Sequence, residues 1–549
     1  MKKIFPKTAL ISMLILGLST SAFAMDIQAP QIQGNPPPPP GMQGEQPNHD
    51  GGLKALLGSL VIDNIISRDQ AVKVLEYFGK STPSLKGMPP TNSQKAQDKN
   101  GAPQDAALNL LVNDGVITKT QADAIDKAIK TMMPPPGGPG GPGNSGISSS
   151  SVIIPPGMYN QSGGKKVKSN QAITTAKKDQ SGVKVTAGGT LSLSNSTITT
   201  TGDSSSMDNS SFYGLNAGVL AESGSKIDLK NCTINTTGTG ANGVFACGTG
   251  SSVTLSKVKI NCTADAAHGV DATLKGILTL NDVDITTAGA HGAAISTDRG
   301  EGTITVNGGT FATSGVGSPG IYSTGDIKIS GAKIAATGSE AAVIEGKNSI
   351  ALTDTTLSGA KLWGVMLYQS FSGDADIGTS KFTMNGGSLT AAVGPVFYAT
   401  NTKATIDLSG ASIQGTSGTL LTASSGAWGK TGANGANVTF NADNETLAGN
   451  IICDNISSVT MALKNGTTLK GSINANKTMG SVALTLDKTS TWCITGNSYL
   501  TSLTDADSTL ANIDDNGYTI YYDAKASANS WLGKKTYTLT DGGKLTPRK

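Results

Sequence analysis

The sequence predicts an all-β solenoid, a right-handed single-stranded parallel β-helix, preceded by a small α-helical hairpin region. Three observations lead there. Short segments alternate apolar and polar residues with period two, the signature of strands with one buried face. A second piece, usually marked by Gly, follows each segment, and the step from one such piece to the next runs from 22 to 31 residues. Self-similarity at that period marks a solenoid. The chain is also rich in Gly (70 residues) and poor in aromatic (5%) and charged (15%) residues, which suits many corners and few amphipathic helices.

The elements follow in order along 549 residues. Lys2 and Lys3, the mostly apolar run Ala9–Leu18 and the small residues Ala22-Phe23-Ala24 form a secretory leader, residues 1–24, cleaved after Ala24. Its apolar run is short of the roughly 20 residues that span a bilayer, and no later stretch is apolar enough to do so. Residues 25–50 contain Pro36–Pro40 and read as a stiff spacer. Residues 51–133 hold a duplication. "LVIDNIISRDQAVKVLEYF" (60–78) aligns without gaps on "LVNDGVITKTQADAIDKAI" (111–129). Ser67 and Thr118 stand at N-cap positions, and Asn64 and Gly115 can take the left-handed turn before them, so each copy reads as an αα-hairpin. "PPPGGPGGPG" (134–143) opens a second linker, 134–150.

The β-helix is expected over residues 151–499. "KIDLKNCTI" (226–234), "SVTLSKVKI" (252–260), "ILTLNDVDI" (277–285), "TITVNGGTF" (303–311) and "DIKISGAKI" (326–334) share one template: two inward apolar residues, a Gly/Asn/Asp corner, then another apolar residue. Eight or more such coils, stacked about 4.8 Å apart, would make a rod on the order of 40–50 Å long. No single turn buries its own apolar face, so stability must come from neighbours. Residues 500–549 gather Tyr518, Tyr521, Tyr522, Trp531 and Tyr537 and read as an aromatic cap over the open end, with "DDNG" (514–517) as a tight hairpin turn.

Charge and cysteine content narrow the function. The chain has 42 basic and 39 acidic residues, and the leader removes Lys2, Lys3 and Lys7 but no acid, so the mature chain is formally neutral. Nucleic-acid binding needs a basic footprint and is excluded. The five Cys have no CxxC or zinc spacing and read as buried small residues. His268 and His291 each precede a Gly, which places them one rung apart in a single column. Two imidazoles fall short of the three or four ligands zinc wants, so they read as structural. No metal or other cofactor is expected.

A catalytic constellation is not evident. Hydrolysis of polysaccharide needs paired carboxylates facing one groove. Asp282 and Asp284 flank Val283 and so face solvent, and Asp514-Asp515 lie next to a turn. A lyase would need a basic residue beside acids. Arg299 is the one Arg of the β region before the extreme C-terminus, in the turn "TDRGEG" (297–302), and Lys275 and Lys361 lack acidic partners in the sequence.

"GSLTAAVGPVFYATNTKATIDLSGASI" (387–413), "STWCITGNSYLTSLTDADSTLANIDDNGYTIYYDA" (490–524) and the ending "YTLTDGGKLTPRK" (537–549) resemble the parallel β-helix adhesin-like proteins of bacterial surfaces, related in architecture to pertactin-type passengers and the pectin-lyase-like fold. The resemblance covers roughly residues 185–549 and implies no catalytic residues. It departs from pertactin-type passengers in carrying no patterned membrane barrel, lipidated Cys or sorting motif, so the secretion or anchoring partner is unassigned. The expectation is a secreted or cell-surface, non-catalytic protein that binds glycan or extracellular matrix. His268, His291, Trp363, Tyr368 and Trp428 are its candidate ligand contacts, with Phe371 beside them. The alternatives are a lyase or hydrolase of acidic polysaccharide and a structural matrix component.

Overall fold

A computed structural model describes residues 154–548, apart from positions 371, 373 and 479, and scattered positions between 66 and 125. The leader, both linkers and most of the hairpin duplication lie outside the described residues. Of the second hairpin copy, the turn is as the sequence implies. Gly115 has φ 67°. The Thr118 hydroxyl accepts from Gln121 N at 3.2 Å while Gln121 Oε1 accepts from Thr118 N at 2.9 Å, a reciprocal capping box. Gln121 also pairs with Gln70, its equivalent in the first copy, at 3.0 Å.

From residue 159 the chain is a parallel β-solenoid of about 15 turns, roughly 70 Å of stacking at 4.8 Å per rung. That is longer than the eight coils legible by template. Each middle turn gives three strands. One joins a 12-stranded parallel sheet, called here the first sheet, and two join a 22-stranded one, the second sheet. The inward columns are mostly apolar, with buried threonines such as Thr200, Thr236 and Thr287 among them. One reads Ile173, Ile198, Ile234, Ile260, Ile285, Phe311, Ile334, Leu357, Leu389 and Ile413. Each such side chain contributes about 1.5–3 kcal/mol by burial. Cys232, Cys247, Cys262 and Cys453 are buried, Cys493 is half-buried, and all five are free thiols.

The corner between the two strands of the second sheet repeats one backbone solution. Asn170, Asn195, Asn231, Lys257, Asp282, Gly308, Gly331, Asp354, Gly386, Gly410, Asn444 and Asn465 occupy successive rungs, all with φ between 46° and 72°. Gly, Asn and Asp tolerate this left-handed conformation best, which is why those types recur there. Asp282 is therefore a corner residue, exposed as expected.

The columns begin and end in charge. Lys166 and Lys168 stand in the inward columns of the first rung, opposite Leu191 and Leu193. At the other end Asp505 follows Leu486. The tail differs from the expected hairpin. Ile513–Asp514 and Thr519–Tyr522, on either side of "DDNG", both pair in parallel with the rung before, so this is another solenoid corner. Parallel winding continues to Lys544–Pro547, which alone meets an antiparallel stub, Tyr537–Thr538. The 3-10 helix Ser527–Leu532 lies against strand Ser502–Asp505. Asn529 Oδ1 accepts from Leu503 N at 2.9 Å, and Trp531 Nε1 donates to Leu503 O at 2.9 Å. Two side chains thus replace the hydrogen bonds of an absent next strand. Asp515 is fully buried and ties down the last loop by accepting from Asp541 N and Gly543 N.

Candidate functional site

Strands of the first sheet are short and read as apolar or mixed runs: "VFAC", "VDAT", "IST", "IYS", "AVIE", "VMLY". All are buried on both faces. The inward residues join the solenoid core. The outward ones form two columns: Leu220, Phe245, Asp271, Ser296, Tyr322, Val343 and Met366, and, two residues further along each strand, Cys247, Thr273, Asp298, Thr324, Glu345 and Tyr368.

Longer connections cover this face. Helix α1 (Met207–Tyr213) is capped by Ser206 and by Gly214 at φ 71°. It buries Phe212, and the following Leu215 packs with Leu220 and Phe245. Further along, Trp428 reaches Tyr368, with ring centroids 5.7 Å apart. Between these, Asp374 meets Arg299: Nε and Nη2 donate to one carboxylate oxygen at 3.0 and 2.8 Å. The Arg299 guanidinium also lies 3.7 Å from the centroid of the Phe212 ring, a cation–π contact. Burial works against its charge, and the Asp374 carboxylate more than offsets that, so its pKa is raised.

Under this cover sits a chain of acids. Glu345 is well held: Tyr322 and Tyr368 hydroxyls both donate to Oε2 at 2.7 Å, and Ser370 and Ser372 donate to Oε1. Burial still raises its pKa, against the pull of those donors. Burial and the adjacent carboxylate push both tyrosine hydroxyls well up. Asp271 and Asp298, one rung apart, are fully buried and poorly served. The N–H groups of Ala272 and Asp298 and the Ser296 hydroxyl lie near Asp271, yet neither of its oxygens makes a well-formed hydrogen bond. Asp298 accepts from Arg299 N at 2.9 Å through one oxygen, and the other has no partner. Burial first, then mutual repulsion for Asp271 and the nearby Asp374 for Asp298, raises both well above the usual carboxylate range. Such groups hold their protons at pH values where free carboxyls are ionised.

The two histidines are not rung equivalents. The register pairs Val244 with Val270, Val270 with Ile295 and Ile295 with Ile321, so the rungs repeat every 25 or 26 residues. His268 therefore falls opposite Ala293, and Asp271 opposite Ser296. His291 lies two residues earlier, half-buried in the turn with φ 57°. His268 is buried and pins the next rung. Its Nδ1 accepts from Ala293 N at 3.0 Å, just as Asn242 Oδ1 one rung below accepts from His268 N at 2.8 Å. Burial, with His291 nearby, lowers its pKa to about 4. Among the described residues no cluster of three or more His, Cys, Asp or Glu could hold a metal ion.

The aromatic candidates are spent on protein. Trp363 stacks on Tyr398 at 4.6 Å and 15°, and Tyr368 is fully buried against Trp428. Phe371 lies outside the described residues. Sequence reasoning did not find Glu345, or Asp374 as the partner of Arg299; the two ion-pair residues are 75 positions apart. The available signal was an acid interrupting an otherwise apolar strand, as in "VDAT" and "AVIE". No family model, curated protein or solved structure matches the chain. Among the described residues no helix is long and apolar enough to cross a membrane.

Proposed function

We propose that the chain is a secreted or cell-surface, adhesin-like solenoid that binds glycan or extracellular matrix without catalysis. The outward surface of the second sheet carries this reading. It stacks hydroxyls and amides in register: Thr254, Thr279 and Thr305 fall on consecutive rungs. Asn261 donates to Asn235 and Asn307 to Asn281, each at 2.9 Å. A regular array of donors and acceptors on rigid strands suits a repetitive polar ligand, because little ordering entropy is lost on binding. By contrast, the carboxylates that could do acid–base work are sealed.

Probing arrays of glycans and matrix proteins with the mature chain tests this. Binding is expected, and the triple variant T254V/T279V/T305V should weaken it with thermal stability retained. Binding to no member of the arrays would refute the proposal. One observation favours a second reading, cleavage of acidic polysaccharide: Asp271 and Asp298 lie one rung apart on an outward face, near Arg299. It requires the cover to open. Incubation with polygalacturonate and related uronates, with calcium, would then generate the absorbance of unsaturated uronides or new reducing ends, and D298N would abolish either.

A further inference from the structure

We propose that Asp271, under helix α1, and Asp298, one rung on and beside Arg299, form a proton-operated latch that holds the helix down in acid and releases it as the pH rises. The geometry sets up the device. Both carboxyls are fully buried on the outward face of the first sheet, and three of their four oxygens lack a hydrogen-bond partner. A neutral carboxyl tolerates such a place; an ionised one without partners does not. The helix is tied to this region by few polar contacts: Thr273 Oγ1 donates to Phe212 O at 2.8 Å, Asn242 Nδ2 donates to Ser210 O at 3.0 Å, and Arg299 lies on the Phe212 ring. The helix packs on the strand that carries Asp271, so lifting it would bring water to that carboxyl.

Among the described residues no cation is free to neutralise the pair. Arg299 is engaged by Asp374, and its pull on Asp298 is outweighed by burial and the nearby Asp374. The other titratable neighbours are acids or weak acids: Glu345 and Asp374 beside Asp298, Tyr322 and Tyr368 beside Glu345, Cys247 beside Asp271, and Tyr213 on the helix facing Arg299. Glu222, next to Cys247, is already paired with Lys184 at 2.9 Å. The closed form binds protons more tightly than the open form, because burial raises both carboxyls. Closure is therefore fully favoured below about pH 4, where an open carboxyl begins to ionise, and weakens as pH rises towards the closed-form ionisation. Each carboxyl that loses its proton on opening raises the opening constant by up to about tenfold per pH unit.

The protein carries its own reporters. Cys247 lies under the helix, with Sγ 3.8 Å from Phe212 O, whereas Cys262 is sealed in the solenoid core. The mature chain is labelled with a thiol reagent between pH 5 and 8, modification is read at each cysteine by mass spectrometry, and rates are divided by that of a free model thiol. The normalised rate at Cys247 is expected to rise with pH while Cys262 stays unlabelled. In D271N/D298N the rise disappears, since the amides cannot ionise; the single variant D271N should reduce it if the double variant does not fold. D374N, which removes one repelling carboxylate and frees Arg299 to neutralise Asp298, should reduce the rise. A normalised rate at Cys247 that is flat in the wild type, unchanged in the Asn variants, or matched by Cys262 would overturn the latch.

Discussion

Replacing Asn529 by Ala should fray the solenoid from its C-terminal end while leaving the middle intact. Asn529 is 2% exposed and makes three hydrogen bonds: Oδ1 accepts from Leu503 N, and Nδ2 donates to Thr501 O and Asp523 O, at 2.8–2.9 Å. Truncation strands one donor and two acceptors, each worth about 1–3 kcal/mol if it stays dry. Water will reach some of them at an end, so roughly 3–5 kcal/mol is the expected local loss. Asp at the position can still accept from Leu503 N but cannot donate, and should fall between. Because each rung leans only on its neighbours, the loss should decay along the stack. Hydrogen exchange resolved by peptide measures this. Protection should drop over 502–505 and 519–547 and be unchanged over 277–306. Equal protection at 502–505 in the variant, or uniform loss in every rung, would refute the capping role.

Three more outcomes are expected. His268→Asn should keep the bond to Ala293 N, as Asn242 does one rung below, and remove an acid-sensitive group. With a folded pKa of about 4 against 6.5 unfolded, His268 contributes stability that is complete above 6.5 and lost as pH falls towards 4, about 3 kcal/mol in all; thermal melts at pH 4 and 7 should therefore converge in the variant, and an unchanged gap would count against it. Gly315→Ala would place its Cβ 1.7 Å from Gly289 O in the rung below, so the backbone must move, at about 1–3 kcal/mol or more; an unaltered melting point would contradict the packing. Trp363→Ala should cost about 3–5 kcal/mol in chemical unfolding, as befits a buried ring stacked on Tyr398, and a selective loss of ligand binding at full stability would instead mark it as a contact residue.

The solenoid was legible because its two strongest rules are local. Alternation of Ile, Leu and Val with Thr and Ser announces strands, and the Asn/Gly/Asp corner announces the left-handed turn between them. Register was less legible. His268-Gly and His291-Gly look alike, yet aligning them gives steps of 23 and 28 residues around a pair of true steps of 25 and 26. "DDNG" suits a hairpin and a solenoid corner equally, since both want positive φ; only the next strand's partner decides. The covered outward face was beyond sequence reasoning for another reason. A strand such as "VDAT" announces burial on one face, but what covers the other comes from α1 some 60 positions earlier or from Asp374 about a hundred positions later. Periodicity carries no information about contacts of that range.

Lys166 and Lys168 set a direction on the rod. If a second copy's last turn were to dock beneath the first, each ammonium would be stripped of water against leucine, at several kcal/mol apiece, which main-chain pairing of one edge does not recover. Growth of a fibre by end-to-end stacking is thereby disfavoured at its first step, whatever the concentration of neighbouring shafts.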